Sequence, residues 1–133
     1  MFQKYMLVML LVLAAAGCGG VESVAGGTRG TLLADGAPLS EIQITVHHVD
    51  GSTTQPVGFG VTAFDGSFEL FANGAQGPLW LEPGEYRCTL ESVGAPLQIR
   101  QEYTQPETTP LKVSWSQTDQ SLKLEIPTPP MLK

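Results

Sequence analysis

The chain has 133 residues with 13 acidic and 7 basic side chains, a formal net charge of −6. One domain of ordinary size fits that length, and an acidic chain with scattered Lys and Arg lacks the basic footprint that nucleic acid requires. It also lacks the cationic patch with which a peripheral protein grips anionic lipid.

The first element is the run "MLVMLLVLAAAGCGG" (6–20), uncharged from Met6 to Gly17 and preceded by Lys4. It is too short for a hydrocarbon core that needs about 20 apolar residues of helix. A basic start, a short apolar run and small residues before a cleavage point form an export signal over residues 1–17. Residues 19–27, "GGVESVAGG", read as a flexible tether of small residues, so 18–27 would link an anchor to a domain at 28–126.

Fifteen glycines and ten prolines punctuate the chain, and short runs of Val, Ile, Thr and Leu lie between turn signals, which predicts an all-β sandwich. "GTLLA" (30–34) is the first strand, and Asp35-Gly36 is the tip of a turn. "EIQITVHHV" (41–49) sets Ile42, Ile44 and Val46 on one face, with Gln43, Thr45 and His47 on the other. "DGSTTQPVG" reads as a loop. "VTAF" (61–64) and "SFELF" (67–71) flank Asp65-Gly66, the strongest hairpin signal.

"EPGEYRCTLE" (82–91) is a Pro-Gly turn and a strand with Tyr86, Cys88 and Leu90 facing inward. Cys88 is then a small buried hydrophobe rather than a reactive thiol. Residues 96–110 carry three prolines and read as an irregular crossover. "LKVSW" (111–115) and "SLKLEI" (121–126) are expected to pair as a hairpin across "SQTDQ", with Leu111, Val113, Trp115, Leu122, Leu124 and Ile126 inward. "PTPPMLK" (127–133) is a Pro-rich tail, read as frayed, because its prolines lack the donor a central strand needs.

Two resemblances emerge from these residues. "AAGC" (15–18) resembles the lipobox of bacterial lipoproteins, which implies cleavage between Gly17 and Cys18 and acylation of the Cys18 thiol and the new amino terminus. Two or more acyl chains hold a protein stably where one does not, so the anchor would last the protein's lifetime. Gly19, with no Asp in that place, favours the outer membrane by resemblance to lipoprotein sorting.

"GTLLADGAPLSEIQITVHHV", "VTAFDGSFEL" and "LEPGEYRCTLE" resemble the opening strands, the Asp-Gly turn and the Pro-Gly-x-Tyr turn of carboxypeptidase regulatory-like domains. The resemblance implies a seven- or eight-stranded prealbumin-like β-sandwich in Greek-key order. Phe68 and Tyr86 would fill the space between sheets, Gly66 and Gly84 would take positive φ, and Pro38 and Pro83 would pre-set turns.

No catalytic constellation follows. His47 and His48 are strand neighbours that point to opposite faces, so they do not share a metal; no cofactor is expected. The His-x-x-Glu pair of zinc carboxypeptidases is absent, and the chain ends "PPMLK" rather than in the Tyr-Arg-Gly-Ser of hydroxyisourate hydrolases. The two-Tyr, two-His iron site of intradiol dioxygenases lacks its spacing, and no Gly-x-Ser-x-Gly elbow occurs.

Trp80 is read as a plug between sheets, with an exposed ligand-binding aromatic as the other reading. The functional expectation is a lipid-anchored, non-enzymatic structural or adhesive domain on the bacterial envelope, meeting a protein or a glycan. The alternative is a small-ligand or carbohydrate-binding module using Trp80 and the loops at 50–58 and 72–79.

Overall fold

Alternation organises the chain into two sheets that share one core. In β1 (Arg29–Ala34) the residues Gly30, Leu32 and Ala34 are buried. The strand turns at Asp35 (φ 48°) and Gly36 (φ 81°), two positive-φ residues in succession, as a type I′ hairpin demands. β2 (Ala37–Pro38) returns antiparallel on β1. The computed structural model describes residues 26–127 and 131–132, so the expected signal, Gly17, Cys18 and most of the tether lie outside the described residues.

β3 (Ile42–Asp50) lies between β4 (Thr53–Val61) and β7 (Gly84–Ser92), antiparallel to both. That central place leaves Ile42, Ile44 and Val46 at 0% exposure, and burying each contributes about 1.5–3 kcal/mol. With β6 (Phe71–Ala72) and β9 (Lys112–Trp115) at its margins, the sheet has the order β6-β4-β3-β7-β9.

The facing sheet runs β10-β1-β2, where β10 is Ser121–Ile126, and β5 (Ser67–Glu69) also pairs with β1. The β1–β10 pairing is parallel and the others are antiparallel. Leu32, Phe68, Leu122, Leu124 and Ile126 from this sheet meet Ile44, Val46, Tyr86, Cys88 and Leu90 from the other in one cluster. The inward sets expected of "EYRCTLE" and "SLKLEI" are therefore those observed.

Several sequence expectations are corrected. "DGSTTQPVG" is largely strand, since β4 begins at Thr53. Pro56 sits opposite His47 where the β3–β4 register shifts between Val46 and His47, and a bulge is one of the few places where a ladder tolerates a residue without a donor. Asp65-Gly66 does form a tight turn, with Gly66 N–H donating to the Ala63 carbonyl at 2.9 Å and Ala63 N–H to Ser67 O at 2.8 Å. Yet the strands it joins belong to different sheets, β4 to one and β5 to the other. The run then crosses back at fully buried Leu70, so that β6 pairs with β4.

That crossing brings backbone close to backbone. A Cβ on Gly60 would lie 2.6 Å from the Glu69 carbonyl oxygen, which is why a residue without a side chain stands there. Gly66 has φ 81° in the left-handed region, whereas Gly84 at φ 158° opens β7 close to extended. Both values are positive, as expected of Gly66 and Gly84.

β9 and β10 do not form the expected hairpin. β9 pairs with β7 and β10 with β1, so "SQTDQ" bridges the two sheets. The tail is not wholly frayed either. β11 (Met131–Leu132) pairs antiparallel with β8 (Leu97–Gln98) as a separate two-stranded ribbon. The crossover between β8 and β9 is irregular, with a 3-10 turn at Gln101–Thr104 whose Tyr103 is buried.

Candidate functional site

Trp80 is not a plug. It is 67% exposed, because both of its neighbours turn inward: Leu79 and Leu81 pack against the core. Their backbone is tied to buried Thr28. Thr28 N–H donates to the Leu79 carbonyl and its Oγ1 accepts from Leu81 N–H, both at 2.9 Å. Leu79 N–H in turn donates to Leu70 O at 3.0 Å. Two residues fixed by hydrogen bonds and packing hold the indole between them out in solvent.

The indole borders a cleft of about 560 Å³ formed by residues 27–29, 80–83 and the bridge after β9. Its apolar contributors include Trp80 and the largely buried Trp115. Around them stand Arg29, Glu82, Gln117 and Asp119. The Tyr86 hydroxyl donates to the Glu82 carbonyl at 2.6 Å and fixes the chain ahead of Pro83. Asp119 Oδ2 accepts from Ser116 N–H at 2.7 Å and from Ser116 Oγ at 3.1 Å, which shapes the bridge. Arg29 Nε lies 3.3 Å from Glu69 Oε1, both side chains well exposed; such a pair contributes little to stability.

An aromatic face beside planar amides, carboxylates and a guanidinium can stack on a ring and hydrogen-bond its substituents. The loops 50–58 and 72–79, expected to serve Trp80, do not line this cleft. The polar residues that do, Gln117, Asp119 and Gln120, were hidden inside "SQTDQ". The amide-rich character of that segment was its only signal, and as a hairpin turn it had no evident reason to lie beside Trp80.

A second cleft, of about 610 Å³, lies between the outer face of the five-stranded sheet and the crossover. Thr45, His47 and Thr89 form its floor, and Leu97, Ile99 and Thr104 belong to the crossover side. His47 Nε2 and Thr89 Oγ1 are 3.0 Å apart. Partial burial lowers the His47 pKa, and the carboxylate of Glu107 opposes that shift.

His48 faces the other way, its ring edge-on to Tyr86 with centroids 5.3 Å apart. The histidines therefore diverge as the strand period requires. Among the described residues no group of three or more His, Cys, Asp or Glu could hold a metal ion.

Cys88 is fully buried, and desolvation pushes its thiol up to about 12. Among the described residues it forms no disulfide, and no helix there is long and apolar enough to cross a membrane. Compared with protein-family models, curated proteins and solved structures, the chain gives no match in any of the three.

Proposed function

We propose that the chain is a lipid-anchored protein of the bacterial envelope whose β-sandwich is a non-enzymatic adhesive domain, with the Trp80 cleft as the surface that takes a glycan. The observation that carries the reading is Trp80, held out at 67% exposure by the bonds that fix Leu79 and Leu81. With the backbone on both sides of Trp80 fixed before the ligand arrives, only the indole's own rotamers remain to be ordered on binding, and the polar rim supplies acceptors and donors for hydroxyl groups.

Kinship with carboxypeptidase regulatory-like domains, in a prealbumin-like Greek-key arrangement, belongs to the same proposal. The inward places of Phe68 and Tyr86 and the positive φ of Gly66 support it. The anchor rests on the apolar run, the small residues and Cys18 in the sequence. A second reading, docking to an envelope protein, draws on Phe64, which is 88% exposed at the tip of the Ala63–Gly66 turn.

Two experiments test the parts separately. Intact mass of the membrane-extracted protein, after feeding an alkyne fatty acid, is expected to show a chain starting at Cys18 with acyl mass, absent in Cys18→Ser. An unmodified soluble chain overturns the anchor. Binding on a glycan array is expected for wild type and lost in Trp80→Ala. Equal binding by both, or binding to no glycan, overturns the cleft assignment.

A further inference from the structure

Among the described residues the outer edge of β10 is open. In the sheet order β10-β1-β2 it stands at the margin, and among the described residues no strand pairs with its far side. The direction of its backbone groups follows from one bond and the register. Asp35 N–H donates to the Ile126 carbonyl at 2.9 Å, and Ala34 is the partner of Ile126 in the parallel pairing. In a strand backbone groups alternate in direction, so Ile126, Leu124 and Leu122 direct theirs to β1. Ser121, Lys123 and Glu125 direct theirs outward. The same three residues carry the exposed side chains, while Leu122, Leu124 and Ile126 face the core.

An edge of this kind is a template for another strand, and its charges select which one. Hydrogen-bonded pairs in an antiparallel ladder join residues whose N–H and C=O both point across the gap. For two copies of β10 related by a two-fold axis, three central registers meet that condition.

Centring on Lys123 sets Lys123 opposite its own copy, and centring on Glu125 does the same with Glu125. Like charges directly opposite are destabilising. Centring on Leu124 sets Lys123 opposite Glu125 twice, aligns Leu122 with Ile126, and leaves donorless Pro127 at the boundary. The two charge pairs then each close a hydrogen-bonded position, with about four backbone bonds in all.

We infer that the open edge of β10 pairs antiparallel with β10 of a second copy of this chain, in the register that places Lys123 against Glu125. The pairing joins two β10-containing sheets edge to edge. A contact this small is weak in free solution. It gains from any arrangement that holds copies at high local concentration, and the proposed lipid anchor would be one.

The test uses the full chain solubilised in mild detergent, followed by sedimentation and by disulfide trapping. Lys123→Glu and Glu125→Lys are each expected to reduce the dimer fraction, with association weakened about tenfold, and the two together to restore it. In trapping, a mixture of Lys123→Cys chains with Glu125→Cys chains is expected to cross-link more than either alone. Cys88 is fully buried and outside the reaction, wild type under the same oxidant sets the background from Cys18, and far-ultraviolet circular dichroism checks each variant's fold. A strictly monomeric wild type, or no rescue by the double exchange, overturns the inference. Stronger trapping of either Cys variant with itself overturns the register.

Discussion

Replacing Thr109 by Val tests whether buried hydrogen bonds hold the crossover to the sheet. The substitution keeps shape and exchanges a hydroxyl for a methyl at a residue only 1% exposed. The Thr109 hydroxyl donates to the Cys88 carbonyl at 2.7 Å and accepts from Leu111 N–H at 3.2 Å. Without it, an N–H and a C=O lose partners where water does not reach.

Each such loss costs about 1–3 kcal/mol, and the longer bond belongs at the low end, so we expect a loss of roughly 3 kcal/mol. For a domain of this size that lowers Tm by about 12 °C. Urea denaturation and calorimetry read both quantities. Thr108→Val is the control: its hydroxyl donates to the Glu102 carbonyl at 2.8 Å, but that bond is exposed, so water replaces it and the loss stays within about 1 kcal/mol. A Thr109→Val chain within about 0.5 kcal/mol of wild type would refute the reasoning.

Further outcomes follow from other residues. With its pKa raised to about 12 by burial, Cys88 should react with Ellman's reagent only as fast as the chain opens, and rapid labelling of the native state would contradict its place in the core. His47 has its pKa lowered by burial, so between the unfolded value of about 6.5 and the folded one the unfolded chain binds more protons. Its contribution is therefore fully present above about pH 6.5 and lost as pH falls; urea midpoints at about pH 7.5 and about pH 5.5 should differ less in His47→Gln than in wild type. Gly66→Ala forces a side chain into φ 81° and 2.7 Å from the Leu32 carbonyl oxygen, so thermal unfolding should show a loss of more than about 1 kcal/mol.

Alternation made much of the interior legible. Ile42, Ile44 and Val46, then Tyr86, Cys88 and Leu90, then Leu122, Leu124 and Ile126 obey a period of two that a buried face imposes. Pairing was far less legible, because the residues that make a strand do not specify its neighbour. Asp65-Gly66 carries every local mark of a hairpin, yet Leu70 takes the following run across the core. β9 and β10 look like a hairpin, and part only because "SQTDQ" spans two sheets.

Pro56 hid most of β4, since a bulge that accommodates proline depends on the opposing strand. Trp80 was misassigned for a related reason. Its exposure follows from Thr28, a residue 52 positions earlier in the chain, gripping both of its neighbours. No local pattern around "GPLWLEPG" announces that contact.

The most direct test of the account is solvent access to Trp80 with a glycan present. The emission that wild type has and Trp80→Phe lacks belongs to Trp80, and acrylamide should quench it strongly, as 67% exposure implies. Addition of a glycan selected on the array should reduce that quenching several-fold and shift the emission to shorter wavelength. Quenching unchanged at saturating glycan would contradict the claim that this chain binds sugars through Trp80.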